Sequence, residues 1–258
     1  MPVDQNRLST IMNSSRNKSL LFNRLSYGRV NPADPPQNFA HDVLERVRNL
    51  PSEGISIANE RRDKLVAFFK EQSKKFFVLD FPKKSKTRFL VGSGSPSPYE
   101  VGFFFDRNYG LPVIPGTGLK GAFYHFLEEK SFDPDALRRW FGFSDEDSQA
   151  ARGSITFLDA IPQEMPQLEL DIVNPHFPDY YRYDPETGAG NVAPPNDWYN
   201  PIPVGYIVVG AGTQMRFTLV FHNREINREE RQTIEQEFQQ MLKYWGVGAK
   251  TAYGYGRF

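Results

Sequence analysis

Apolar positions recur at helical spacing in two early stretches: Phe39, Ala40, Val43, Leu44 and Val47, then Leu65, Phe68, Phe69, Phe76 and Phe77. Both predict amphipathic helices, the second rich in lysine. Ahead of them, residues 1–38 mix Asn, Ser and Arg with the proline-rich Asn31-Pro-Ala-Asp-Pro-Pro-Gln37, which predicts a loose arm with little core. Thr87-Arg-Phe-Leu-Val-Gly92 predicts a strand, Ser93-Gly-Ser-Pro-Ser-Pro98 a loop with little side-chain bulk, and Gly102-Phe-Phe-Phe-Asp106 a second short strand. Leu119, Ala122, Phe123, Phe126 and Leu127 then fall on one helical face, behind the glycine turn Gly116-Thr-Gly-Leu-Lys-Gly121.

Further along, Ser154–Asp159 predicts a strand, and Val204–Val209 with Met215–Phe221 predicts a hairpin around Gly210-Ala-Gly212, because Met215, Phe217, Leu219 and Phe221 alternate. Residues 171–203, rich in Pro, Tyr, Asn and Asp, read as a long excursion, and long ordered loops tend to be functional. Asn227 followed by Glu230 is a capping-box pattern opening a helix whose stripe is Ile234, Phe238, Met241, Leu242 and Trp245. A glycine-rich tail comes next, expected to hold a short last strand. Strand, helix, two strands, helix, strand is the order of a ferredoxin-like (RRM-like) α+β unit. The pattern divides the chain into residues 1–86, an arm and basic helical region, and residues 87–258, the ferredoxin-like domain with its 171–203 insertion.

Composition narrows the chemistry. With 39% hydrophobic and 24% charged residues among 258, the chain can bury a real core. Cysteine is absent, which excludes disulfides, thiolate nucleophiles and cysteine-ligated metal centres. No stretch approaches the roughly 18 apolar residues of a membrane span, and the N-terminus lacks an apolar signal core, so a soluble cytoplasmic protein is expected. Residues 1–92 carry 17 Lys or Arg against 9 Asp or Glu, and residues 93–258 carry 14 against 22, within a chain of formal charge zero. That split fits a polyanion or acidic partner for the first part, or simply a solvated lysine-rich helix.

The turn at residues 116–121 matches G-x-G-x-x-G, but Pro112 and Pro115 interrupt the segment before it, and Arg138-Arg-Trp-Phe141 lies where the next parallel strand should be. A nicotinamide site is therefore not expected. The turn still suits an anion, since glycines expose N–H groups at a helix N-terminus and Lys120 adds a cation. A tight packing turn with a solvated lysine is the other reading. In the tail, Gly246, Gly248, Gly254 and Gly256 interleave with Lys250, Arg257, Tyr253 and Tyr255, with no acid between them. Cations neutralise a phosphate backbone and tyrosine faces stack bases, whereas an edge strand with inward tyrosines is the alternative.

No metal site, cofactor or catalytic constellation is legible. His41, His125, His176 and His222 are scattered, and neither H-E-x-x-H nor G-x-S-x-G occurs. Asp106, Asp159 and Asp171 sit near strand ends, where a carboxylate either binds Mg²⁺ or activates a hydroxyl, or simply forms a turn.

Five stretches together carry a family resemblance: Leu90-Val-Gly-Ser-Gly-Ser-Pro-Ser97, Tyr109 to Gly121, Gly153-Ser-Ile-Thr-Phe-Leu-Asp159, Asp171-Ile-Val-Asn-Pro-His-Phe-Pro-Asp-Tyr-Tyr181, and Gly246 to Phe258. In this order they resemble the RAMP proteins of type III CRISPR systems, and among them the sixth-subunit family of the type III-B Cmr complex. The resemblance implies a ferredoxin-like fold that binds guide RNA (crRNA) near its 3′ end beside related Cmr and RAMP subunits, with target RNA as a further partner. Carried over by position, the RNA-binding residues are Gly116, Thr117, Gly118, Lys120 and Gly121 in the turn, with Lys120 on phosphate. In the tail they are Gly246, Gly248, Lys250, Thr251, Gly254, Gly256 and Arg257. Many RAMP proteins have serine where this chain has Gly118, so a hydroxyl contact falls to Thr117. The family assigns target cleavage to another subunit, implying a non-catalytic scaffold. The enzyme alternative is a metal-independent guide-processing endoribonuclease using His125 or His176.

Overall fold

The computed structural model describes Thr10 and residues 14–24, 36–51, 54–97, 99–143, 150–174, 184, 186–188, 190, 203–222 and 226–258. The sequence places a phenylalanine-rich core at its centre. Strand β1 (Phe76–Lys84) pairs antiparallel along nine positions with β8 (Gln214–His222), from Phe76 opposite His222 to Lys84 opposite Gln214. The other edge of β8 takes β4 (Ile155–Phe157) and then β5 (Ile161–Pro162), both antiparallel. Between β1 and β4 the chain crosses over through helix α4 (Gly116–Glu129). After β8 comes helix α6 (Arg228–Gln240). This is the ferredoxin-like arrangement, an α+β fold in which the third strand of the unit lies between the first and second.

Alternation along β8 decides which face does what. Met215, Phe217, Leu219 and Phe221 are buried beneath α4 and α6, where Phe123, Phe217 and Phe238 form edge-to-face ring pairs. Helix α6 begins as expected: Asn227 Oδ1 accepts the Glu230 N–H at 2.9 Å and Glu230 Oε2 accepts the Asn227 N–H at 3.0 Å. Its stripe of Ile234 and Phe238 runs on into Met241 and Leu242, all fully buried, through a π-helical turn (Met241–Trp245).

Helix α1 (Lys18–Asn23), α2 (Pro36–Asn49) and α3 (Ile55–Glu71) precede this unit. Helix α2 packs on the two-stranded sheet of β6 (Leu168–Val173) and β7 (Val204–Val209), burying Val43, Leu44 and Val47. Helix α5 (Pro134–Phe141) starts on Pro134 behind the Asp133 cap, and a short pair, β2 (Gly142–Phe143) with β3 (Ala151–Arg152), comes after it. Among the described residues no helix is long and apolar enough to cross a membrane.

Several expectations need correction. The residues before 38 do contribute core: Leu21 and Phe22 are buried, and so is Lys18, whose ammonium donates to the carbonyls of Val47 at 2.6 Å, Arg48 and Leu50 at the end of α2. Phe76 and Phe77 begin β1 instead of extending a helix, because the lysine-rich turn at 72–75 ends α3 and strand pairing with β8 takes over. Residues 87–92 and 102–106 form no ladder; Phe89, Leu90 and Phe105 make isolated bridges to Val209, Ala249 and Pro112. The expected hairpin around Gly210–Gly212 is instead a crossing between sheets, since β7 pairs with β6 and β8 with β1. The Gly210 N–H donates to Gln167 O and the Gly212 N–H to Ser85 O, which satisfies the turn from two different directions. Finally, the tail is a looped segment and not a strand. Of the 171–203 excursion, residues 171–173 belong to β6, while most of the remainder, including His176, lies outside the described residues.

Candidate nucleic-acid interface

The glycine turn at residues 116–121 forms the first two turns of α4. Gly116 is buried against β4, where a Cβ would come within 2.3 Å of the Phe157 carbonyl, so close packing fixes this glycine. Its N–H donates to Asp159 Oδ1 at 2.7 Å. Asp159 reaches it because the sheet edge is interrupted between β4 and β5, and Ala160 bridges Ile114 there. Thr117 and Gly118 are exposed, a Cβ on Gly118 or Gly121 would meet nothing within 4 Å, and Lys120 has no hydrogen-bond or ion-pair partner among the described residues. One N–H of the helix start is thus held by protein, and the next two belong to exposed residues near an ammonium that has no partner among the described residues, an arrangement that can accept a phosphate.

Behind this turn runs a chain of charged contacts. Arg62 on α3 donates to the Asp159 carbonyl at 2.8 Å and to Thr218 Oγ1 at 3.0 Å. Thr218 donates to Asp80 Oδ1 at 2.8 Å, and Asp80 accepts a bidentate pair from Arg216 at 2.9 and 2.8 Å. Arg216 also donates to Asp63 at 2.5 Å. Burial by itself would raise the Asp80 carboxyl, but the Arg216 and Thr218 hydrogen bonds overcome it and hold Asp80 below the usual carboxylate range. Arg62 and Asp63 of the basic helix therefore clamp the second face of the central sheet.

The tail threads between residues 86–91 and the end of α6. Val247 N–H donates to Gly256 O, Ala249 N–H to Leu90 O, and Gly256 N–H to Arg88 O. A Cβ on Gly256 would lie 2.0 Å from the Val247 carbonyl at a φ of +73°, and one on Gly248 2.4 Å from the Leu90 carbonyl at +92°. Only glycine fits at these crossings. Phe258 is fully buried against Phe89 and Phe217 and anchors the end.

The structure sorts the tail residues by accessibility. Tyr253 is 85% exposed at the apex, on a 3-10 turn (Thr251–Tyr253) before Gly254. Lys250 donates to the hydroxyl of buried Tyr206 at 2.7 Å. Tyr255 is half-buried and donates to Asp171, which also takes the Ile172 N–H at 2.8 Å and Arg88 at 3.2 Å. Burial, and then the Asp171 carboxylate, push the Tyr255 hydroxyl above the ordinary tyrosine range. Arg257 turns inward and donates to Thr251 O at 3.3 Å, and burial lowers its guanidinium. The turn and the tail therefore each offer one accessible contact, Lys120 and Tyr253, while Lys250, Tyr255 and Arg257 shape the loop.

The three aspartates near strand ends all have protein donors. Asp159 caps Gly116, Asp171 holds Tyr255, and Asp106 Oδ1 accepts the N–H groups of Asn108 and Tyr109 at 2.9 and 2.7 Å as a turn former. His125 is exposed on α4 with Nδ1 3.2 Å from Glu128, and His222 lies 2.9 Å from Arg152. The Asp63–Arg216–Asp80–Arg62 chain escaped sequence reasoning, because its members are separated by up to 154 positions and no local spacing signals them. Arg88, on Glu169 and Asp171, escaped it in the same way.

The comparisons with known proteins agree with this architecture. A relative from Pyrococcus furiosus, described as CRISPR system Cmr subunit Cmr6, is 30% identical over 67% of this chain and 65% of its own length. The chain thus spans about two thirds of that relative. A second, CRISPR system CMR subunit Cmr6 of Saccharolobus solfataricus, is 24% identical over 92% of this chain and 83% of its own. Among solved structures, a chain in the cryo-EM structure of the type III-B Cmr-beta bound to cognate target RNA covers 98% of this chain, with 87% of its own length matched, 20% identity and a TM-score of 0.66, which establishes the shared fold. The RAMP superfamily pattern matches residues 84–258, more than half of the sequence and all of the turn and tail just described, so the chain belongs to the RAMP superfamily.

Proposed function

We propose that this chain is a non-catalytic subunit of a type III-B CRISPR RNA-targeting effector complex, where it binds guide RNA near its 3′ end beside other Cmr subunits. The observation that carries the reading is the pairing of an open helix start, bearing a lysine with no partner among the described residues, with a glycine-shaped loop presenting an exposed tyrosine. The first suits a phosphate and the second a base face. Relatives described as Cmr6 support the assignment to this kind of complex. Lys120→Ala combined with Tyr253→Ala should leave folding intact, since Lys120 has no hydrogen-bond or ion-pair partner among the described residues and Tyr253 is exposed, and should strip guide RNA from the purified complex. Undiminished RNA retention would refute the site. Lys250 is a poor choice for this test because its ammonium holds Tyr206.

The competing enzyme reading uses His125 or His176, of which only His125 lies among the described residues. Specific cleavage of labelled precursor RNA by the pure chain, abolished by His125→Ala, would establish that reading instead.

A further inference from the structure

A cleft of about 590 Å³ lies away from both glycine sites, between α1 and the run of residues 95–107. Its walls are fixed. Asn17 Nδ2 donates to the carbonyls of Arg107 and Asn108 at 3.1 Å, while Asn17 Oδ1 caps α1 at the Leu20 N–H. Gly110 packs so tightly on Lys18 that a Cβ would stand 2.7 Å from its backbone nitrogen. On the floor, Phe104 turns outward while its neighbours Phe103 and Phe105 are buried, as alternation in an extended segment requires. Phe104 is 39% exposed and Leu20 43%. Gly92, at a φ of +76°, leaves room beside it, since a Cβ there would lie 2.8 Å from Phe104 Cβ.

The charge of this cleft is one-sided. Arg24 and Arg107 both line it and are exposed, and among the described residues neither has an ion-pair partner and no acidic residue lines the cleft. Asn23 and Ser95 supply neutral polar edges. An exposed aromatic face flanked by two exposed guanidinium groups without an ion-pair partner among the described residues is complementary to a base with phosphates on either side. Its volume falls within the range of ordinary ligand sites and exceeds that of a single base. Its place in the chain adds a second argument. Phe104 N–H bonds to Val91 O in the run of bridges that starts at the tail contact Leu90–Ala249 and ends at Ile114–Ala160, two residues before the α4 turn. The cleft is therefore built onto the segment that connects the two glycine sites.

We propose that this cleft is a binding subsite for single-stranded RNA, in which one base stacks on Phe104 while Arg24 and Arg107 hold the adjoining phosphates. The proposal rests on the RNA-binding reading above and extends it to the N-terminal helix.

Fluorescence polarisation of a labelled oligouridylate with the full chain tests it. Phe104→Leu should weaken binding about 5- to 150-fold while leaving the salt dependence unchanged, since it removes a stacking face and no charge. Arg24→Ala with Arg107→Ala should lower the slope of log affinity against log salt by about 1 to 1.5, from roughly 0.7 per phosphate contact in single strands. Coincident thermal melts would establish that the variants are folded. If Lys120→Ala weakens binding while the Phe104 and double-arginine variants match the parent in affinity and slope, the cleft is overturned and the RNA reading survives. If the parent chain binds no RNA at low salt, both fall. Unchanged RNA affinity with lost assembly into the complex would make the cleft a protein-docking face and overturn the proposal equally.

Discussion

Replacing Arg216 with methionine separates the polar clamp behind the α4 turn from the hydrophobic fold. The guanidinium is about nine-tenths buried and binds Asp80 through two donors, and the Asp80 side chain is only 13% exposed. Arg216→Met leaves that carboxylate with Thr218 as its remaining side-chain donor. Stranding one member of a buried pair costs about 3–5 kcal/mol. The second partner, Asp63, is 67% exposed and adds less than about 1 kcal/mol. A loss of about 3–6 kcal/mol is therefore expected in urea unfolding followed by circular dichroism at neutral pH. Asp80→Asn keeps Arg216 bound to Asp63 and should cost about 1–2 kcal/mol. The double variant should fall short of the summed losses by at least about 1 kcal/mol, because the stranded charge is gone. Acid titration adds a second check. Asp80 is held below its unfolded value near 3.9, so the folded chain binds fewer protons there than the unfolded one. The stability it contributes is complete above about pH 5 and is lost as the pH falls from there through the depressed folded value. Asp80→Asn should lack that component. A loss below about 1 kcal/mol for Arg216→Met, or strict additivity in the double variant, would refute the reasoning.

Asp159→Ala removes the acceptor for the first N–H of α4 and should cost about 1 kcal/mol, with faster amide hydrogen exchange at Gly116. Gly256→Ala should disrupt the tail and lower the melting temperature sharply, whereas Gly254→Ala, with open space around it at a φ of +87°, should cost only about 1–2 kcal/mol; equal losses would contradict the crossing geometry. Burial pulls the Lys18 ammonium down to about 8, so the folded chain binds fewer protons than the unfolded one up to the ordinary lysine value near 10.4. Stability should therefore rise with pH across that window, and Lys18→Met should abolish the rise.

The sequence revealed those parts of the fold in which local chemistry and tertiary structure agree. Asn227, Glu230 and the stripe from Ile234 to Leu242 form a helix on their own terms, and the same holds for the α4 turn and the alternating β8. Phe76 and Phe77 read as part of a helix because an aromatic run suits a helix face as well as a strand, and only pairing with Phe221 and His222 makes them a strand. The glycine crossing at residues 210–212 carries hairpin residues but joins two sheets, a choice set by Gln167 and Ser85, which are remote in sequence. In the tail, composition could place basic and aromatic residues together but could not tell Tyr253, which faces solvent, from Tyr255, which holds Asp171. That distinction depends on β6, a strand assembled from residues near 170.

The most direct test of RNA binding is photocrosslinking of the assembled complex carrying thiouridine-substituted guide RNA, with the crosslinked peptides of this chain mapped by mass spectrometry. Crosslinks at Tyr253 and within residues 116–121, lost in the Lys120→Ala, Tyr253→Ala variant, are the predicted result. A complex that retains its guide with no crosslink to either segment would contradict the account.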